Sequence, residues 1–161
     1  MNEGKKFEED FKKSVPLDFF YYRLRDNAAS FSGGDKVRFT SHNICDCLIM
    51  AKDKLYLLEL KSHKGSSLPL NCIRPNQLEG LVKAESYKNV YAAFVINFRD
   101  KEKTFIISAN KLYEFIGNTT RKSIPISFIE SNGKEIRGEK KKVRYRYDLE
   151  FLKELEEIDV G

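Results

Sequence analysis

The sequence predicts a mixed α/β fold in which a central mixed β-sheet is flanked by helices, and two observations support it. Helical and strand periodicities succeed each other along the chain in the order helix, strand, strand, helix, strand, strand, helix. Residues 90–98 form a nearly continuous apolar run, which is typical of a strand buried on both faces of a sheet. Because the chain has 161 residues, we expect residues 1–161 to form a single domain.

The first half of the chain predicts one helix and three strands. Phe7 and Phe11 lie four residues apart among charged residues, which predicts an amphipathic helix over residues 4–14. Residues 27–43 are polar, include a glycine pair and predict a loop. Strands are predicted at residues 19–24, 44–50 and 55–61, and the last two are separated by a turn at Asp53 and Lys54.

The second half predicts helices and strands in alternation. Pro75 suits the first position of a helix over residues 75–87, which follows a long loop at residues 62–74. Ser108 ends a strand at residues 104–108 and suits the cap of a helix over residues 109–116. Residues 124–129 and 142–147 predict strands around an Asn132-Gly133 turn, and residues 127–147 form a basic hairpin-like segment. Asp148 then caps a last helix that ends near residue 157.

The positive charge of the chain is concentrated near its C-terminus. The net charge is +5, and residues 134–146 alone contain seven basic and two acidic side chains. A polyanionic partner such as DNA is one interpretation, with Lys140, Lys141, Lys142 and Arg144 as phosphate contacts. A solvated charged hairpin is the other interpretation, and this segment by itself does not separate the two.

Composition argues against several classes of protein. The chain has three cysteines, which form neither a disulfide framework nor a tetrahedral zinc cluster, and this favours a reducing cytoplasm. No apolar run approaches the roughly 20 residues that a membrane helix needs. Residues 1–13 are charged and lack the apolar core of a signal peptide. We therefore expect a cytoplasmic protein without a membrane partner.

A group of charged residues interrupts two of the predicted strands. Side chains alternate along a strand, so Glu59 and Lys61 point to one face and the leucines beside them to the other. If the strands pair as a hairpin, Asp46 lies beside Glu59. Two adjacent carboxylates repel each other, and a divalent cation removes that repulsion. The alternative is an exposed Glu59–Lys61 pair with Asp46 at a strand end, because the pattern E-x-K is very common.

This group fits metal-assisted hydrolysis of a phosphodiester. Mg²⁺ prefers oxygen ligands and keeps several waters, so one or two carboxylates and a substrate phosphate suffice to hold it. Lys61 can help to activate the attacking water and can offset charge on the phosphorus. Lys64 and Arg74 border the loop after this strand and are candidate DNA contacts.

These motifs together resemble a known family. A helical glutamate, an aspartate on one strand and E-x-K on the next follow each other as in the PD-(D/E)XK nuclease superfamily. More specifically, the chain resembles RecU-type Holliday junction resolvases. Gly4 precedes Glu8 by four residues, as in that family's opening helix. Residues 56–61, 64–77 and 91–98 resemble its catalytic strand, the loop and helix start that follow, and its next buried strand. The resemblance implies a restriction-endonuclease-like core.

The resemblance also implies the site and the partners. Glu8, Asp46 and Glu59 become metal ligands for Mg²⁺, with Mn²⁺ as a second activating ion, and Lys61 and Gln77 complete the catalytic residues. A solvated helical carboxylate is the alternative for Glu8, and a plain surface glutamine is the alternative for Gln77. The implied protein is a homodimer that binds branched four-way DNA, because this substrate has two-fold symmetry.

We therefore expect a magnesium-dependent endonuclease that nicks four-way DNA junctions symmetrically. A related nicking or restriction-type endonuclease is the second hypothesis, and a non-catalytic binder of DNA structures is the third. The chain departs from the family in three places: a basic stretch at residues 133–147 is an extra feature near the C-terminus, and the other two lie before Asp46. The segment at residues 26–43 is shorter than the projecting stalk that the family has at this place. Ile44 and Cys45 stand where the family tends to have hydroxyl residues.

Overall fold

The computed structural model describes residues 1–25 and 42–156. Over those residues the chain forms four α-helices and ten β-strands. The helices are α1 (Glu3–Ser14), α2 (Pro75–Glu85), α3 (Ala109–Gly117) and α4 (Ile126–Asn132). Within the described ranges, no helix is long and apolar enough to span a membrane.

Six of the ten strands form the main sheet. The strands are β1 (Phe20–Arg23), β2 (Cys47–Ala51), β3 (Lys54–His63), β4 (Ser67–Pro69), β5 (Val90–Phe98), β6 (Lys103–Ser108), β7 (Ser123–Pro125), β8 (Lys134–Ile136), β9 (Gly138–Lys141) and β10 (Arg144–Tyr147). The order in the sheet is β1-β2-β3-β5-β6-β8. β3 and β5 are parallel and are connected through α2, whereas their other neighbours pair antiparallel. Separate two-stranded sheets are formed by β4 with β7 and by β9 with β10.

The main sheet separates two apolar clusters. One cluster, the α1 side, joins Phe11 of α1 to Leu60 of β3. The other, the α2 side, joins Leu81 of α2 to Phe94 and Ile96 of β5 and also includes residues of α3 and α4. β5 contributes alternate residues to both clusters, which confirms the strand buried on both faces that the apolar run predicts.

The hairpin of β9 and β10 is held against α1. Asp10 of α1 is buried and accepts hydrogen bonds from Arg144 Nε at 2.6 Å and from the Tyr145 backbone N–H at 3.2 Å. One helical turn later, Ser14 Oγ accepts a bond from the Tyr147 N–H at 2.8 Å. Two helical side chains therefore satisfy backbone groups of β10 that a neighbouring strand would otherwise satisfy.

Most of the predicted elements are confirmed, with small shifts at their ends. The helices at residues 4–14, 75–87 and 109–116 are present as α1, α2 and α3. Ser108 caps α3 as predicted, because its Oγ accepts a bond from the Asn110 N–H at 3.1 Å. The long loop predicted at residues 62–74 is more ordered than expected, since it includes β4 and a 3-10 helix at Leu70–Cys72. The loop predicted at residues 27–43 lies, except for its last two residues, outside the described residues.

Two predictions around residue 130 are wrong. Residues 124–129 do not form a strand, because the chain leaves β7 at Pro125 and continues as α4. In this helix Ile129 is buried, and the Phe128 ring packs on the Phe115 ring of α3 with 4.4 Å between the ring centroids. Gly133 follows the helix and makes no hairpin turn. An added Cβ at Gly133 would lie 2.6 Å from the Ile106 carbonyl oxygen, so the glycine permits a close approach.

The end of the described chain also differs from prediction. The hairpin turns at residues 142–143, between β9 and β10, and Lys142 adopts a φ of 58° there. The last helix is reduced to a 3-10 helix at Glu150–Lys153. Asp148 still accepts a bond at its start, from the Glu150 N–H at 3.2 Å. Tyr56 anchors this segment by donating to the Leu152 carbonyl at 2.6 Å, which fixes it on the α1 side.

Candidate active site

The predicted catalytic strand is β3, and its charged residues share one face. Glu59 is paired with Phe94 of β5. Lys61 is paired with Ile96, and both β5 residues belong to the α2 side. Glu59 and Lys61 therefore face the α2 side, whereas the leucines beside them are buried in the α1 side. The alternation expected from the sequence is confirmed.

Asp46 lies directly before β2 and is held against β3 by two hydrogen bonds. Its backbone N–H donates to the Leu58 carbonyl at 3.0 Å. Its Oδ2 accepts a bond from the Leu60 N–H at 2.8 Å. These bonds hold Asp46 against β3 just beyond the last residue pair of β2 and β3, Cys47 with Leu58, and its carboxyl group interacts with that of Glu59.

Glu59 is a buried carboxyl group with an unsatisfied oxygen. The residue is only 2% exposed. Its Oε2 lies 3.4 Å from Lys61 Nζ, whereas Oε1 has no hydrogen-bond partner among the described residues. Burial raises the pKa of Glu59 to about 8; Asp46 adds to that shift and Lys61 opposes it. The site therefore favours a proton or a cation on this carboxyl group.

Most of the predicted site residues line one open pocket of about 430 Å³. Glu8 reaches it from α1 and Gln77 from α2, while the exposed Arg74 lies just before α2. Lys64 is exposed and is not among the residues that line the pocket. The lining consists of Glu8, His42, Asn43, Cys45, Asp46, Glu59, Leu60, Lys61, Arg74 and Gln77.

Gln77 is buried in the first turn of α2, so the surface alternative for this residue is wrong. Its Nε2 donates to the Asn43 carbonyl at 3.5 Å. Its Oε1 is buried and has no partner among the described residues. The Gln77 amide oxygen and the Glu59 carboxylate oxygen are thus both buried without a described partner, and each needs a donor or a cation to satisfy it.

Arg23 of β1 contacts two residues of the pocket, and no sequence pattern predicts this role. Its Nε lies 3.0 Å from Glu8 Oε2, and its Nη2 lies 3.8 Å from Asp46 Oδ1. Its Nη1 also donates to the Asp46 carbonyl at 3.2 Å. The guanidinium group therefore connects α1 to the residues before β2. An arginine at the end of an otherwise aromatic strand was the only available signal in the sequence.

The donor set at Asp46 and Glu59 fits a divalent cation of the magnesium type. Over residues 1–25 and 42–156, no three His, Cys, Asp or Glu side chains are grouped closely enough to hold a metal. Glu8, the third predicted ligand, is paired with Arg23. A magnesium ion nevertheless needs only one or two protein carboxylates, since waters and substrate phosphates complete its shell. The unsatisfied oxygens of Glu59 and Gln77 agree with such a ligand.

The basic residues of the hairpin lie apart from this pocket. Lys140 Nζ is 3.1 Å from Glu102 Oε1, and Arg144 is bound to a buried carboxylate of α1. Both charges are therefore engaged within the protein. Lys141 and Lys142 are exposed beside the hairpin turn. The hairpin packs on the α1 side, whereas the catalytic strand presents its charged residues to the α2 side.

A solved structure is similar to this chain in fold, and a curated protein is similar to it in sequence. The Holliday junction resolvase Hjc of Archaeoglobus fulgidus has a solved structure that matches with a TM-score of 0.51 and 17% identity, over 78% of this chain and 91% of that one. That likeness concerns the fold. The SPbeta prophage-derived uncharacterized protein YotM of Bacillus subtilis (strain 168) is 33% identical over 168 residues, which cover 94% of this chain and 85% of that protein.

The family model for RecU, described as recombination protein U, matches residues 5–156. The chain belongs to the RecU family. Membership confirms the resemblance stated from the sequence, and the likeness to Hjc confirms the restriction-endonuclease-like core. The range matched to RecU contains the whole lining of the pocket and also the β9–β10 hairpin.

Proposed function

We propose that this protein is an endonuclease that cleaves four-way DNA junctions by metal-dependent phosphodiester hydrolysis. One observation carries the proposal: Asp46, Glu59 and Lys61 meet in an open pocket where Glu59 is buried with an unsatisfied oxygen. A protein that only binds DNA has no use for two carboxylates beside phosphates, because they repel the ligand. RecU membership and the shared fold with a Holliday junction resolvase support a branched substrate.

Asp46 and Glu59 would hold Mg²⁺, and Mn²⁺ in the same place would also support activity. Glu8 is a further candidate ligand, and its carboxyl group would have to give up its ion pair with Arg23 to bind the metal. When bound, the ion supplies Lewis-acid polarisation of a phosphoryl oxygen. Lys61 stabilises the charge that develops on the phosphate and orients the attacking water. The Gln77 amide binds that water or the scissile phosphate. Water adds to the phosphorus and the bond to the 3′ oxygen breaks, which leaves a 5′-phosphate and a 3′-hydroxyl.

The remaining features of the proposal concern DNA and assembly. Lys64 and Arg74 contact phosphates beside the pocket, and the exposed Lys141 and Lys142 contact the DNA further away. Residues 1–161 act as one nuclease domain, and two copies form a homodimer that matches the two-fold symmetry of a junction. The cysteines described are free, which suits a reducing cytoplasm.

Labelled four-way junctions and linear duplexes of matched sequence, each with Mg²⁺, Mn²⁺ or EDTA, test this proposal. The expected result is a pair of symmetric nicks in the junction with either metal and none with EDTA. Asp46→Asn is the control for contaminating nucleases. Cleavage of linear duplex alone would favour a nicking or restriction-type enzyme. Tight binding without cleavage in any divalent metal would favour a non-catalytic binder.

A further inference from the structure

A surface beside the active-site pocket brings together two segments that are distant in sequence. β4 and β7 pair as an antiparallel two-stranded sheet. Beyond one end of this pair, the Leu70 N–H donates to the Lys122 carbonyl at 2.9 Å. Beyond the other end, the Ile126 N–H donates to the Ser66 carbonyl at 2.9 Å. The segment after α3 is therefore fixed against the segment that leads from β3 to α2.

These two segments are basic and contain no carboxylate. Residues 62–74 and 118–125 include four cations and several hydroxyl residues but no aspartate or glutamate. The cations are all exposed, and none has an ion pair with another described residue: Lys64, Arg74, Arg121 and Lys122. One neighbouring carboxylate, Asp100, is bonded to the Gly65 N–H at 3.0 Å. Arg74 Nη1 lies 3.4 Å from His42 Nδ1, but no described carboxylate neutralises any of the four cations, so this surface is a candidate for an external anion.

This surface lies on the same side of the sheet as the catalytic residues. Leu68 of β4 and Ile124 of β7 are fully buried in the α2-side cluster, to which Glu59 and Lys61 also point. Arg74 belongs to both the basic surface and the pocket lining. Arg74 therefore joins the basic surface to the pocket that Lys61 also lines.

The turn before β7 presents its two cations outward. The Arg121 N–H donates to Thr119 Oγ1 at 3.1 Å, which closes the turn locally. The carbonyl of Lys122 is bound to the opposite segment, so the backbone is fixed while both side chains stay exposed. Arginine binds phosphate oxygens with two parallel N–H bonds, and lysine binds them as a point charge.

We propose that Arg121 and Lys122 bind the DNA backbone next to the scissile phosphate, as the outer part of a phosphate-binding track that begins at Arg74. This inference rests on the proposed nuclease function and adds the surface along which one arm of the DNA leaves the active site. It also gives the catalytic side of the molecule its own DNA contacts, separate from the lysines of the β9–β10 hairpin.

The test compares Arg121→Ala/Lys122→Ala with a control that loses the same charge elsewhere. Lys83→Ala/Lys88→Ala is that control, because both lysines are exposed at the opposite end of α2 from Arg74. Junction affinity is measured in Ca²⁺ across a range of salt concentrations. Single-turnover cleavage is measured in Mg²⁺ at saturating protein, and thermal unfolding checks that each variant folds.

The Arg121→Ala/Lys122→Ala variant should bind the junction at least about tenfold more weakly at low salt. Its slope of log affinity against log salt should become shallower by about 2, since each duplex phosphate contact contributes roughly 0.9. Its saturated cleavage rate should stay near that of the wild type. Arg121→Lys, which keeps the charge, should retain the slope.

Two outcomes contradict the inference, and they differ. If the wild type neither binds nor cleaves the junction, the proposed function and this inference both fail. If the wild type binds and cleaves but Arg121→Ala/Lys122→Ala behaves like Lys83→Ala/Lys88→Ala, only this inference fails. In that second case the surface is either solvated or bound to a partner other than DNA.

Discussion

The carboxyl group of Glu59 illustrates how strongly one residue depends on its surroundings. A surface glutamate is ionised at neutral pH, whereas burial and the adjacent Asp46 raise the pKa of Glu59 to about 8. Lys61 lies 3.4 Å away and offsets only part of this effect. An ionised Glu59 therefore destabilises the metal-free protein, and a bound proton or divalent cation removes that destabilisation.

Asp46→Asn and Glu59→Gln should each abolish cleavage while junction binding is kept or becomes tighter. Each change removes a proposed metal ligand, and each also removes a negative charge beside the DNA phosphates. Cleavage in Mg²⁺ and binding in Ca²⁺ measure the two effects separately. Asp53→Asn, at the exposed turn between β2 and β3, is the matched control and should cleave normally. Cleavage by either site variant at near the wild-type rate would show that the metal site is elsewhere.

Glu59→Gln should also change how the stability of the metal-free protein depends on pH. The pKa of Glu59 rises from 4.5 to about 8 on folding, so its stabilising contribution is complete below pH 4.5 and is lost as the pH rises through 8. Glutamine does not ionise. Between pH 5 and pH 8 in EDTA, the wild type should lose on the order of 2–4 kcal/mol more unfolding free energy than the variant, at about 1.4 kcal/mol per pKa unit. Denaturant titrations measure this, and an identical pH dependence would contradict it.

Lys61→Ala should impair the chemical step more than it impairs the binding of metal or DNA. The ammonium group lies beside Glu59 and faces the pocket, where charge develops on the phosphate. Loss of one such electrostatic group typically costs a factor of about 10²–10³ in rate. Lys61→Arg should rescue poorly, because a guanidinium group is larger and does not release its proton. Single-turnover cleavage at saturating protein, beside affinity in Ca²⁺, separates the two effects. A normal rate with weakened affinity would make Lys61 a simple phosphate contact.

At the scale of elements, α1 connects the hairpin to the active site. Asp10 and Ser14 hold β10, while Glu8 on the same helix is bound by Arg23 beside Asp46. The position of the hairpin is therefore tied to the helix that carries a pocket residue. The opposite face of the sheet has its own peripheral sheet, β4 with β7, so each side of the catalytic strand carries one basic element.

The hairpin lysines that have no carboxylate partner within the protein should contribute most to DNA binding. Replacing Lys140, Lys141 and Lys142 by alanine should flatten the salt dependence of junction affinity. Most of the effect should come from Lys141 and Lys142, because Lys140 is already paired with Glu102. Salt titrations of the triple variant and of Lys140→Ala alone measure these contributions. An unchanged slope in the triple variant would identify the hairpin as a solvated charged turn.

At the scale of the whole molecule, the described residues form one candidate catalytic pocket, whereas the proposed cleavage of a junction takes place at two symmetric positions. A two-fold dimer supplies two equivalent pockets. Mixed dimers of wild-type and Asp46→Asn subunits should therefore nick each junction once, on one strand. Subunits that are unfolded together, refolded and supplied with junction at limiting protein provide the measurement. Paired nicks from mixed dimers, or a monomeric protein that makes both nicks, would contradict the dimer.

The local sequence determined the elements whose signals are periodic. Alternation of side chains is a property of a single strand, so the shared face of Glu59 and Lys61 followed from their spacing. The buried β5 followed from its apolar run, and α1 from the spacing of its phenylalanines. Residues 124–129 were ambiguous because a short apolar run suits either a strand or a buried helix, and packing of Phe128 on Phe115 selected the helix.

Tertiary structure decided which charged side chains pair with other residues of the protein and which face solvent. Arg144 belongs to the most basic stretch of the chain, yet Asp10, 134 residues earlier, binds it. Gln77 is buried and Arg23 bridges Glu8 and Asp46 through contacts between elements that no sequence period describes. Arg121 and Lys122 meet the active-site side through the pairing of β4 with β7. Periodicity depends on neighbours along the chain, whereas electrostatic interaction depends on distance in space. The sequence therefore determined the charged face of β3, and only the fold determined which charged residues surround it.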